Sequence, residues 1–291
     1  MNDTTLPHTG PAPVIDAQPG TVTVLSPSKI STFTTCGTKF YLNYVLGLDH
    51  GATCATLRGT IAHAALAAFS ARPPADRTVD PPDADWVAAH AAIVGEPDGE
   101  WAQLVADGVN PETLQAEVVD ASRHLAARIF ELEDPGSVTA SGLEQRIATT
   151  VGGVPVRGII DRVDTDPVTG EVVIVDYKSG KAPPVAYERS RLEGVRMYAA
   201  MYLAAYGVRA SRVRLIYLGG DATTIDVEIT DQVLGATVKR LAAVWKAIQQ
   251  AVDRGSFRPK VGPLCDWCDH KTSGACPAFP AATEVALNAG S

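Results

Sequence analysis

Hydrophobic residues recur at helical spacing early in the chain. From Ser26-Pro27 to about Leu46, the positions Ile30, Phe33, Phe40, Tyr41 and Tyr44 share one face of a helix. Ser26 is a good N-cap, Pro27 suits the first turn because its missing N–H costs nothing there, and Gly47 ends the element. An alanine-rich helix is expected over about Leu57–Ser70, then an irregular proline-rich connector over 72–84, then weak helices that carry Trp86 and Trp101. Asn110-Pro111-Glu112 opens a further helix to about Glu133. At Ser141 the period changes from helical to extended. Ser141–Val151 alternates, Gly152-Gly153 is a hairpin turn, Val154–Val163 returns, and a polar turn at 164–170 leads into the Val/Ile-rich strand Glu171–Lys178. An amphipathic helix over about Tyr187–Tyr206, strands near Val213–Leu218 and Thr223–Ile229, and a long helix from Thr230 to about Arg254 complete the pattern. Helices packed on a mixed central sheet, in the α/β class, are the expected outcome.

Composition narrows the possibilities. The chain has 291 residues, 46% of them hydrophobic, enough to bury a sizeable core and too many for a disordered chain. No apolar run reaches the roughly 18 residues of a membrane span, and Met1–Val14 lacks the basic and apolar regions of a secretory signal, so a cytoplasmic, membrane-free protein is expected. The net charge of −8 is uneven. Residues 75–134 hold fourteen acids and three bases, a local net of −11, which leaves 22 bases against 19 acids elsewhere, or +3. A polyanion therefore remains a plausible ligand for the rest of the chain.

The meander carries the candidate chemistry. Asp176 and Lys178 lie two apart on a strand and share a face, and Asp161 lies on the preceding antiparallel strand. Two neighbouring carboxylates repel unless a hard cation bridges them, and Mg²⁺ or Mn²⁺ suits oxygen ligands. Lys178 is placed to orient a nucleophile or to stabilise phosphate oxygens, and Glu144 on the first strand is within reach of the same point. An Asp-x-Lys pair is also compatible with a solvated strand face bearing a weak ion pair.

The wider string is more specific. Gly158-Ile159-Ile160-Asp161-Arg162, followed by Val173-Ile174-Val175-Asp176-Tyr177-Lys178-Ser179-Gly180, resembles the RecB-family exonucleases of the PD-(D/E)xK superfamily, as do Ser26–Tyr41 and the stretch Arg58-Gly59-Thr60-Ile61-Ala62-His63. The resemblance spans about 25–280. It implies a PD-(D/E)xK nuclease-like mixed central sheet flanked by helices, with Asp161, Asp176 and His63 as metal ligands, Lys178 as the catalytic lysine and Glu144 as a further catalytic acid. The family's Gln four residues before a Tyr is Gly194 here, while Tyr198 fits. The resemblance further implies a metal-dependent DNA exonuclease of repair or recombination, acting on single-stranded or free-ended DNA. The alternative is a binding module that keeps the fold without turnover. No Gly-x-x-x-x-Gly-Lys-(Ser/Thr) loop occurs, so any unwinding would fall to a helicase partner.

Five cysteines in an apparently intracellular chain point to metal chemistry rather than disulfides. Cys265, Cys268 and Cys276 cluster in the tail and need a fourth ligand, with Cys36 and Cys54 as contenders. Resemblance to the AddB-type and CRISPR-associated members favours Cys36 and a 4Fe–4S cluster that joins the N- and C-terminal segments. A zinc ion assisted by Asp266, Asp269 or His270 is the rival, and Cys54 then reads as a small buried hydrophobe. Arg146, Arg157, Arg162, Lys181, Arg189, Arg191 and Arg196 flank the expected site. Of these Lys181, Arg189, Arg191 and Arg196, with Tyr198, are the candidate nucleic-acid contacts. Trp86 and Trp101 could stack bases, but their acidic surroundings favour core packing. The expected organisation is a loose leader at 1–22, one nuclease domain at 23–280 with an acidic helical insertion at 72–134 and a cysteine-rich tail at 255–280, and a flexible terminus at 281–291.

Overall fold

The computed structural model describes residues 22–48, 51–77 and 83–279, with the backbone alone for 83–84 and 185–191. The expected leader, except Val22, and the expected flexible terminus lie outside the described residues. The chain divides into two compact units, Met1–His50 with Leu241–Ser291, and Gly51–Arg240.

In the first unit the expected opening helix is two helices, α1 (Pro27–Thr35) and α2 (Gly37–Tyr44). Lys29 N–H donates to Ser26 Oγ at 3.2 Å, as the N-cap requires. The break falls at Cys36, whose backbone is extended (φ −158°, ψ 117°). Gly37 follows the break, and its missing side chain suits a close approach, since a Cβ would meet the carbonyl oxygen of Arg258 at 3.1 Å. Thr38 Oγ1 donates to Phe257 O at 2.8 Å, and the Tyr41 ring stacks on Phe257 with centroids 4.9 Å apart.

The second unit begins at α3 (Cys54–Ala71), three residues before its expected start, because Thr53 and Thr56 form a reciprocal capping box. α4 (Asp83–Val94) and α5 (Glu100–Ala106) follow. The helix expected over 110–133 is broken into α6 (Pro111–Leu114), a π-helical turn (Gln115–Asp120), α7 (Ala121–Ala127) and α8 (Ile129–Leu132). Trp86 donates Nε1–H to Ser122 Oγ at 3.0 Å and packs with Trp101 against Leu57, Ile61 and Leu114, so both indoles serve the core.

Five strands form one sheet in the order β1 (Ala140–Val151), β2 (Val154–Thr165), β3 (Val172–Lys181), β4 (Arg212–Gly219), β5 (Thr223–Glu228). β3 and β4 are parallel and every other pair is antiparallel. The parallel step needs a crossover, which α9 (Val185–Tyr206) supplies. Val175 and Tyr177 of β3 join Ile216 and Leu218 of β4 under Ala62, Leu66, Leu125 and Ile129, which buries one sheet face against α3 and α7. α10 (Asp231–Asp253) runs through the boundary at Arg240/Leu241, and α11 (Asp269–Thr272) lies in the cysteine-rich tail.

Candidate functional site

The site begins where two strands part. β2 and β3 pair through four rungs, from Thr165↔Val172 to Arg162↔Val175. The next rung would set Asp161 opposite Asp176, but the ladder stops there. The Asp161 carboxylate takes over, with Oδ2 accepting the Tyr177 N–H at 2.7 Å. Beyond this point β2 continues against β1 and β3 against β4. Two acids thus sit at the crotch of a fork in the sheet. Side-chain alternation sends Tyr177 into the core and leaves Asp176 and Lys178 together on the opposite face.

Asp176 is 5% exposed, and the Lys178 ammonium is its ion-pair partner. Burial raises the Asp176 carboxyl above its ordinary range; Lys178 works against this rise and Asp161 adds to it. From α3, His63 brings Nδ1 to 3.5 Å from Asp161 Oδ2 and lays its ring edge-on to Tyr177. Burial alone would lower the imidazole pKa. The hydrogen bond to Asp161 and the charges of Asp161 and Asp176 outweigh it, so the net shift is upward. Glu144 stands at the rim in the left-handed region (φ 43°), and among the described residues it is the one non-glycine with positive φ. It lies between the rungs Leu143↔Arg162 and Gln145↔Ile160, which puts it level with Asp161. Strain of this kind persists where the surroundings over-determine it, commonly at functional sites. Burial and Asp161 raise the Glu144 carboxyl. Tyr198, from α9, is pushed up by burial and by Asp176, Asp161 and Glu144, so its phenol stays neutral beside the acids.

One ligand atom each from His63, Glu144 and Asp161 fall within 4.8 Å of one another. Two carboxylates and an imidazole, with Asp176 at the next strand, are a donor set that fits Mg²⁺ or Mn²⁺; the imidazole leans toward Mn²⁺.

The other side of the same strands is closed. Arg162, expected to flank the site, is 2% exposed and buried in a salt-bridge network. Its Nη1 donates to Glu133 Oε1 and to Tyr177 Oη, both at 2.6 Å, and Nε lies 2.9 Å from Asp164 Oδ1. The residue next to Asp161 must point to the opposite face, so it becomes scaffold rather than a phosphate contact. Lys181 is exposed at the end of β3. Arg196 is half-buried, with Nε lacking a hydrogen-bond partner. The side chains of Arg189 and Arg191 lie outside the described residues. Glu193, beside Gly194, is drawn to Arg240 at 3.7 Å. Arg58 was not singled out by sequence, yet its Nε is also buried without a hydrogen-bond partner, on the helix turn where Gly59 would bring a Cβ to 3.0 Å from Ser179 Oγ. Its place within Arg-Gly-x-x-x-His was the available signal.

The thiols of Cys36, Cys265, Cys268 and Cys276 gather in the first unit. Burial raises the Cys276 thiol, and Cys36, Cys268 and Cys265 add to that rise. Backbone N–H groups of Lys260 and Gly262 donate to the sulfurs of Cys36 (3.5 Å) and Cys265 (3.4 Å). Two of the three non-sulfur zinc candidates are otherwise engaged, since His270 Nε2 meets Asn43 Oδ1 and Asp266 pairs with Lys271 at 2.7 Å. Cys54 is half-buried and packs against the Leu57 and Ile61 cluster.

The family model of the PD-(D/E)XK nuclease superfamily matches residues 24–277. A crystal structure of an exonuclease candidate from Eubacterium rectale aligns with TM-score 0.51 at 15% identity, covering 85% of this chain and 88% of that one. The solved structure of SSO0001 aligns with TM-score 0.36 at 18% identity, covering 64% of this chain and 81% of that one. No curated protein matches the chain. No helix among the described residues is long and apolar enough to cross a membrane.

Proposed function

Because the chain belongs to the PD-(D/E)XK nuclease superfamily, we propose that it is a divalent-metal-dependent DNA exonuclease of the RecB-like, Fe–S subset that holds the AddB-type and CRISPR-associated members. In this reading it serves repair or recombination in the cytoplasm, acts on single-stranded or free-ended DNA, and works beside a helicase partner. The observation that carries the reading is the fork between β2 and β3, which keeps Asp161 and Asp176 on adjacent strands with His63, Glu144 and Lys178 around them.

Asp161, Glu144 and His63, joined by Asp176, would hold Mg²⁺ or Mn²⁺. The ion when bound supplies charge neutralisation and activation of water. Asp176, paired with Lys178, would hold the ammonium beside the acids, where it would face the charge that grows on the phosphate oxygens. Tyr198 remains protonated and can donate a hydrogen bond to a phosphate or to water. Lys181, Arg189, Arg191 and Arg196 would follow the strand's phosphates. In the reaction, water adds to phosphorus, the bond to the leaving sugar oxygen breaks, and that oxygen takes up a proton.

The four cysteines would hold a 4Fe–4S cluster. The all-sulfur donor set and the two N–H···S contacts support it, as does the diversion of His270 and Asp266 to other partners. Its physical role would be to clasp the segment around Cys36 to the tail. Digestion of end-labelled single strands with and without Mn²⁺, with Asp176→Ala as control, tests the reading. Metal-dependent shortening by the parent chain alone is expected, while binding without cleavage would identify a non-catalytic module. Iron and sulfide analysis of anaerobically purified protein, repeated on Cys36→Ser, tests the clasp; a zinc content without sulfide would reject it.

A further inference from the structure

We propose that the outer side of the cysteine-rich turn is a stacking platform for single-stranded nucleic acid, with Trp267 as its base-contacting residue. The proposal rests on the reading that the chain acts on nucleic acid, but it concerns a surface lying wholly in the first unit. Residues Pro263–Trp267 form a 3-10 helix. With three residues per turn, side chains at i and i+3 come into register. Cys265 lies in this turn and Cys268 caps it, its N–H donating to Cys265 O at 3.2 Å. Leu264 and Trp267, three apart within the turn, form such a row, and it faces water, at 65% and 85% exposure, beside Val261 at 53%. The geometry that gathers the sulfurs therefore turns a tryptophan outward. Trp is usually well buried, and an indole left this open has its whole π-face available.

The surrounding charge selects the ligand. Between Arg254 and Lys271 the chain carries four bases against Asp266 and Asp269, a local +2 within a chain of −8. Lys271 is held by Asp266, while Arg254, Arg258 and Lys260 are exposed. Protein–protein interfaces are depleted in lysine at their cores, whereas aromatic faces set among cations are the recurrent platform for single strands. Bases would stack on Trp267 with Leu264 and Val261 at its edge, and phosphates would meet Arg258 and Lys260.

The test is binding of a labelled oligothymidine of about twelve nucleotides, within the usual site size, by the full chain without added divalent cation. Trp267→Ala is expected to weaken binding about tenfold, in line with the loss of one stacked base, while Trp267→Phe retains most of it. Lys260→Glu with Arg258→Glu is expected to flatten the salt dependence. Unchanged affinity in Trp267→Ala overturns the proposal. So does an equal loss in Trp267→Phe accompanied by loss of iron, which would make the residue scaffold. A changed oligomeric state with unchanged oligonucleotide affinity would assign the ridge to a protein partner and also overturn it. Trp267-dependent binding by a chain that cleaves nothing in Mn²⁺ would leave this inference standing and remove the nuclease reading.

Discussion

The two faces of β2 and β3 use the same residue types to opposite ends. On one face Glu133 and Asp164 surround Arg162, and Tyr177 adds its hydroxyl, so the buried acids meet a guanidinium supplied by the chain itself. On the other face Asp161, Asp176 and Glu144 share the Lys178 ammonium and the His63 imidazole, and burial pushes Asp176 and Glu144 upward. The first face is compensated and closed. The second is short of positive charge at the point where the strands part. Neighbouring residues, Asp161 and Arg162, belong to the two faces because a strand alternates. A compensated acid is scaffold, and an under-compensated pair where the strands part is where a cation gains most.

The comparison can be broken from either face. The largest effect is expected from Asp176→Ala, which should lower metal-dependent cleavage by about three orders of magnitude, the scale of losing one preorganised group at the reacting centre, with the thermal melt retained. Next is Arg162→Met. It strands Glu133 and Asp164 as buried, unpaired acids and should cost about 3–5 kcal/mol in urea denaturation. A stability unchanged from the parent would show that the first face is not held by this network.

A pH series sharpens the contrast. His63, Asp176 and Glu144 all have raised pKa values, so each keeps its proton to higher pH than an ordinary group, and a cation must displace those protons. Affinity for Mn²⁺ by calorimetry should therefore rise with pH and fall on acidification, by about tenfold per pH unit for each group still titrating. Affinity independent of pH between about 5.5 and 8 would contradict a His63-containing site. The smallest effect is expected from Tyr198→Phe. Its phenol is neutral in both the free and working protein, so kcat/KM should drop by less than about tenfold, with no change in the cleavage pH profile.

Much of this was legible in the sequence because it is local. The change from helical to extended period at Ser141, the Gly152-Gly153 turn and the Thr230 cap mark their elements within a few residues. The pairing of Asp176 with Lys178 follows from spacing alone. The break at Cys36 was not legible. The backbone of Arg258, more than two hundred positions away, lies so close to Gly37 that a Cβ there would meet its carbonyl oxygen at 3.1 Å, and no local pattern announces that approach. The fate of Arg162 was hidden for a similar reason, since its partner Glu133 sits outside the sheet in an acidic stretch that reads as solvated surface. Arg58 and the outward Trp267 were missed because exposure and unpaired buried donors are properties of packing, not of pattern.

What the chain's order of residues determined by itself was the alphabet of the site: acids on adjacent strands of a meander, a lysine two beyond the second, a histidine on an alanine-rich helix, and cysteines at the two ends. What only the tertiary structure decided was which of those acids met a cation from the protein and which did not. That depends on where β2 and β3 stop pairing, and on Asp161 replacing the missing rung with its own carboxylate. Backbone hydrogen bonds must be satisfied wherever strands diverge. The residue that satisfies this one is held, by the same bond, at the fork where the acids gather.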